Sequence, residues 1–97
     1  MYTGKLMASP GVYLFMRKGH PAYVGRSDSD VELRMGESFR QGRYDLTMTW
    51  YETTSPRQAY LKECRLFHRH APCDNKNHPA VPPGTNWRCP VSGCPWS

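Results

Sequence analysis

Residues 11–25 read Gly11-Val12-Tyr13-Leu14-Phe15-Met16-Arg17-Lys18-Gly19-His20-Pro21-Ala22-Tyr23-Val24-Gly25. Val12, Leu14 and Met16 alternate with Tyr13 and Phe15, and the run over 22–26 is short, apolar and β-prone. The stretch therefore predicts two strands joined across Arg17–Pro21. With the turn centred near Lys18, Tyr13 and Tyr23 stand opposite each other on one face, because side chains in a strand alternate with a period of two. Gly25 then lets a ligand or a second backbone come close.

A helix is expected next. Ser29 with Glu32 fits a capping box, Val31, Met35 and Phe39 mark an apolar stripe flanked by Arg34, and Gly42 is the stop. Residues 46–53, rich in Thr and aromatics, suit a third strand with Trp50 in the core. Ser55-Pro56-Arg57-Gln58 is a helix start, with an N-cap serine and proline at the first helical position, and the helix should run to about His70. On its wheel Ala59, Tyr60, Glu63, Cys64, Leu66, Phe67 and His70 share one side, while Lys62, Arg65 and Arg69 point away. Glu63 is out of place there, since a carboxylate in an apolar stripe needs a metal or a base beside it. Either it holds a cation, or it lies at the stripe's edge and pairs with an arginine.

Ninety-seven residues make one small domain with a single modest core. Thirteen Lys and Arg against eight Asp and Glu leave a charge of +5, and nine of those bases are arginines, whose planar fork suits phosphate. A polyanionic partner is favoured. No apolar run approaches the length of a bilayer span, and MYTGKLMASP at the N-terminus lacks the order of a secretory signal, so no membrane partner and a cytoplasmic location are expected. In that compartment Cys64, Cys73, Cys89 and Cys94 are thiols or metal ligands rather than a disulfide framework.

Gly11-Val12-Tyr13, then Tyr23-Val24-Gly25, then Arg34 on the first helix and Glu63 inside the second form a set that resembles the GIY-YIG nuclease superfamily over residues 10–70. The resemblance implies an α+β fold, a small three-stranded antiparallel sheet flanked by helices, in a nuclease domain over residues 1–71. It implies an endonuclease that hydrolyses phosphodiester bonds of nucleic acid, DNA favoured over RNA. One of the two tyrosines would activate the water, with Tyr23 marginally preferred, and Arg34 would hold the scissile phosphate. Glu63 would be the single protein ligand of a hydrated Mg²⁺ or Mn²⁺, and Arg26 would add positive field. Gly25, Arg40 and Arg43 are candidates for contacts to the substrate. Such chemistry needs a deprotonated water, a shielded phosphate and a neutralised leaving oxygen, which is what a base, arginines and a cation supply. Departures from the family's pattern are Arg26 in place of a frequent lysine, one extra residue between Tyr23 and Arg34, and Ser38 where some members carry histidine.

Residues 72–97 change character. Six of the nine prolines fall there and no periodicity survives, so the tail is irregular structure or disorder, and it is expected to pack on the same domain. Cys73, His78, Cys89 and Cys94 offer a candidate Zn²⁺ site, with His70 as a substitute ligand and Cys64 or His68 weaker ones; unligated thiols are the equal alternative. Trp87 and Trp96 flank the last two cysteines as caps on the tail. Two readings compete with the nuclease: a catalytically silent, zinc-containing nucleic-acid-binding module, and a structural zinc protein with a basic surface. The first would have lost Glu63 or Arg34, and the second predicts that the tyrosines pack internally and that no cleft joins Glu63 to Arg34. Nothing outside the tail would choose a cleavage site, so weak sequence preference or a partner protein is expected.

Overall fold

The computed structural model describes residues 8–97; the reading of residues 1–7 lies outside the described residues. The elements follow in the order β1 (Gly11–Arg17), β2 (His20–Ser27), α1 (Val31–Gln41), β3 (Met48–Glu52) and α2 (Pro56–His70). The strands form one three-stranded antiparallel sheet, as the resemblance implies, and its order is β2-β1-β3. β1, the central strand, is the most apolar, and it is buried along Gly11–Phe15.

Its two faces feed two cores. Val12, Leu14 and Val24 pack against Ala59 and Leu66 of α2. Tyr13 and Phe15 pack against Val31 and Met35 of α1, with Tyr23, Phe39 and Tyr44 around them. A helix thus covers each face of the sheet. Trp50, expected in the core, is 44% exposed. It lies on β3, at the edge of the sheet, paired with Tyr13, and of β3 the cluster on the α1 side takes in Met48 but not Trp50.

The hairpin register corrects the expectation that Tyr13 and Tyr23 are directly opposed. Lys18 and Gly19 form a two-residue turn with φ of 52° and 79°, and Asp45 caps it by accepting both their N–H groups at 3.0 Å. Arg17 pairs with His20 and Met16 with Pro21, but Phe15 pairs with Tyr23, so Ala22 is an extra residue in β2. That bulge moves every later residue of β2 to the other face. Tyr23 therefore joins Tyr13 on the α1 side, one pair displaced, with ring centroids 6.2 Å apart. Tyr13 itself pairs with Gly25.

The start of α1 is one residue later than expected. Ser27 Oγ accepts the N–H groups of Ser29 and Asp30, and Asp30 becomes the N-cap, accepting from Leu33 at 3.1 Å. α2 begins as the sequence predicts, with Ser55 accepting from Gln58 and Pro56 in the first turn.

The tail has no helix or strand, yet it is tied to both layers. Cys89 and Cys94 pack on Tyr60 and Cys64 of α2, with Val81, Trp87 and Val91 around them. Residues 73–75 run along the free edge of β2: Asp74 N–H donates to the Ala22 carbonyl at 2.7 Å, and the Asn75 side chain bonds both the N–H and the carbonyl of Val24, at 2.8 and 2.9 Å. An edge that would otherwise be open to pairing is covered by a side chain imitating a strand. Asp74 also takes two hydrogen bonds from Arg17.

Candidate active site

The sheet separates the predicted site residues. Tyr13, Tyr23 and Arg34 belong to the α1 side. Arg26 faces α2, where its Nη1 donates to Glu63 Oε1 at 2.9 Å and its guanidinium lies 5.4 Å from the centre of the Tyr60 ring. The two sides meet at the end of β2. There a cleft of about 330 Å³ is lined by Arg26, the Ser27–Asp30 turn and Leu33, Arg34 and Glu37 of α1. Its walls carry two arginines, Arg26 and Arg34, beside three carboxylates, Asp28, Asp30 and Glu37, and the arginines at the open mouth suit a phosphate-bearing substrate.

Tyr13 is fully buried, and its hydroxyl shares a 2.6 Å hydrogen bond with Ser38 on the facing turn of α1. Burial raises its pKa, against the opposing influence of Ser38 and of Arg34. Gly25 does not hold space for a ligand, as the sequence suggested. A Cβ there would lie 2.2 Å from Tyr13 Cζ and 2.3 Å from its hydroxyl, so the missing side chain is what admits the tyrosine ring. Tyr23 is half-buried and keeps solvent contact.

Glu63 is the one buried charged residue of the described chain, 8% exposed. Desolvation lifts its pKa from 4.5 to about 7, and Arg26 offsets only part of that. Arg26 is shared: its Nε also meets Asp28 Oδ1 at 3.0 Å, so a second carboxylate stands beside the cleft. Both sequence readings of Glu63 thus apply at once, the arginine pair and a carboxylate whose charge is under-compensated. Such a group fits one hard cation, which takes a protein carboxylate together with waters.

Arg40 and Arg43 are exposed, at the end of α1 and just beyond it. Arg43 is engaged through its carbonyl, which accepts from Arg17 at 2.7 Å.

In the tail, the donor atoms of His68, His78, Cys89 and Cys94 all lie within 4.8 Å of one another. This group replaces the set expected from spacing. Cys73 is exposed and turned to the Arg17–Asp74 pair, and His70 takes no part. His68 enters because α2 carries it one turn beyond Cys64, beneath the returning tail. Asp28 and Asn75 are the contributors the sequence reading did not single out; His68 stood there only as a weaker ligand candidate, and Ser38 only as a departure from the family's pattern. Ser38 carried a positional signal, standing four residues after Arg34 on the same helix face.

No family model matches this sequence, and neither does any curated protein. Solved structures do. The chain is similar to the GIY-YIG N-terminal endonuclease domain of UvrC from Thermotoga maritima bound to its catalytic divalent cation, magnesium, at 26% identity over 71% of this chain and 85% of that one, with a TM-score of 0.59. A tyrosine-to-phenylalanine point mutant of the same domain, also bound to its catalytic divalent cation, matches at 25% identity over 73% and 87%, with a TM-score of 0.61. This chain belongs to the GIY-YIG nuclease superfamily, and the likeness supports nuclease function and binding of a divalent metal.

Proposed function

We propose that the protein is an endonuclease that hydrolyses phosphodiester bonds of nucleic acid, DNA by preference, with Mg²⁺ or Mn²⁺ held by Glu63. The observation that carries this reading is the convergence at the end of β2, where Arg26 and Arg34 wall a cleft and Arg26 leads directly to a buried, under-compensated carboxylate. The bound cation supplies a positive charge that lowers the barrier to attack and neutralises the leaving oxygen.

The chain's own groups do the rest. Arg34, exposed on the cleft wall, holds the scissile phosphate and shields its charge during attack. Tyr23 is the base: it keeps solvent contact, whereas the Tyr13 hydroxyl is enclosed and committed to Ser38. With its own proton released to solvent, the Tyr23 phenolate takes the proton of the water whose oxygen bonds phosphorus as the phosphorus–oxygen bond to the leaving group breaks. Tyr13, fixed by Ser38 and by the close approach to Gly25, orients Tyr23 and the water. Arg26 holds Glu63 in place and carries Asp28 at the rim. Arg40 and Arg43 extend the basic surface for the flanking strand. The cleft reads backbone charge and has few groups to read bases, so site choice is weak or comes from a partner protein.

The test is nicking of supercoiled plasmid and cutting of single-stranded DNA and RNA with Mg²⁺, with Mn²⁺ and with neither, beside Glu63→Ala. Cleavage that requires the added metal and Glu63 supports the reading. Salt-sensitive binding without cleavage under every condition would instead favour a silent binding module.

A further inference from the structure

The C-terminal 26 residues contain no helix or strand and few aliphatic side chains, yet they fold against α2. A segment of that composition gains too little from burial to offset the entropy of ordering it. Four features at one point supply the remainder. The donor atoms of His68, His78, Cys89 and Cys94 lie within 4.8 Å of one another, and none of the cysteines is in a disulfide. His78 Nδ1 is 3.0 Å from the Pro79 carbonyl, which can only accept; Nδ1 therefore carries the hydrogen and Nε2 the lone pair. That Nε2 is buried and has no hydrogen-bond partner. The Trp96 N–H points at Cys94 Sγ from 3.4 Å, a contact that favours thiolate.

A neutral imidazole oriented by a backbone carbonyl, with its second nitrogen bare and aimed at two thiols, is how a histidine ligand is held. Two thiolates and two neutral imidazoles balance a divalent charge, at a site whose two cysteines are buried, His78 half-buried and His68 exposed. The mixed sulfur and nitrogen set selects Zn²⁺, whose bond lengths place tetrahedral ligand atoms roughly 3.3 to 3.8 Å apart, a small contraction from the observed spacing.

We propose that His68, His78, Cys89 and Cys94 bind one structural Zn²⁺, and that this staple anchors the strap whose Asn75 holds Val24, beside Tyr23 in β2. His78 lies three residues beyond Asn75, so fixing it to α2 through His68 leaves the strap little slack over the edge of β2. Binding releases one proton from each thiol to solvent. The site shares no residue with the cleft at the end of β2 and does not depend on the nuclease reading.

The experiment is metal analysis of the purified full-length chain, followed by removal of the metal and titration with Co²⁺ alone. About one Zn²⁺ per chain is expected, and the Co²⁺ form should show tetrahedral ligand-field bands with thiolate charge transfer. Cys94→Ser and His68→Ala should lose most of the zinc, whereas Cys73→Ser should keep it all. His68→Cys, which preserves a ligand, should retain zinc with a shifted Co²⁺ spectrum even if the other variants fold poorly. Hydrogen exchange at the Val24 amide should quicken on zinc removal and recover when zinc is restored. A wild-type chain without zinc or thiolate–Co²⁺ absorption, iron in its place, zinc lost from Cys73→Ser but kept by His68→Ala, or exchange at Val24 indifferent to zinc would overturn the proposal.

Discussion

Replacing Glu63 with glutamine should abolish metal-dependent cleavage and, in the absence of Mg²⁺ and Mn²⁺, make the protein more stable. The magnitude follows from the burial of the carboxyl. Glu63 titrates near 4.5 in an unfolded chain and at about 7 in the fold, with desolvation as the largest cause. Between those values the folded state binds more protons than the unfolded state, so stability falls as pH rises from 4.5 to 7 and stays lowered above that. The gap corresponds to about 3 kcal/mol at most. Glutamine is neutral at every pH and keeps an oxygen to accept from Arg26, and Arg26 retains Asp28 at 3.0 Å and the Tyr60 ring. Glu63→Gln should therefore gain about 1 to 3 kcal/mol over the wild type at pH 8 and almost nothing at pH 4. Urea denaturation of the zinc-replete protein at the two pH values measures this. Mg²⁺ added at pH 8 should then stabilise the wild type and leave the variant unchanged. If Glu63→Gln is the less stable protein at pH 8, the Arg26 pair outweighs desolvation and the argument for an under-compensated carboxylate fails.

Three further outcomes are expected. Gly25→Ala drives a Cβ into the enclosed Tyr13 ring and should cost roughly 1 to 3 kcal/mol with loss of cleavage; an unchanged urea midpoint would mean that the ring has room to move. Asn75→Ala removes two hydrogen bonds to Val24, worth about 1 kcal/mol each, and should speed amide exchange at Val24 and reduce cleavage while zinc stays bound; unaltered exchange would show that the strap does not hold β2. Arg34→Gln should weaken nucleic-acid binding uniformly across sequences and lower the slope of log affinity against log salt by about 1, an effect that titrations over a range of NaCl would detect or refute.

Local chemistry made α2 legible in advance. Ser55 and Pro56 specify where the helix starts, and of the seven residues on its expected apolar side Ala59, Tyr60, Glu63, Cys64 and Leu66 are buried in the fold, while Phe67 and His70 are half-buried. The hairpin was legible as a pair of strands but not in its register. The bulge at Ala22 depends on how β2 meets β1 and on Asp45, far along the chain, capping the turn. At α1 two adjacent residues, Ser29 and Asp30, compete for the cap, and the side chain of Ser27 decides by taking their N–H groups. Trp50 has the composition of a core residue, but burial on an edge strand depends on how far the covering helix reaches.

By itself the sequence determined the elements, their order along the chain, and the residue types the chemistry calls for, because these rest on periodicity, caps and spacing within single segments. Only the tertiary structure decided which of those residues meet. It put Arg26 on Glu63, gave the space at Gly25 to Tyr13, laid Asn75 along β2, and exchanged Cys73 for His68 in the tail cluster. Each of these contacts joins segments distant in the chain, and its geometry follows from packing against both faces of one sheet, which no local pattern encodes.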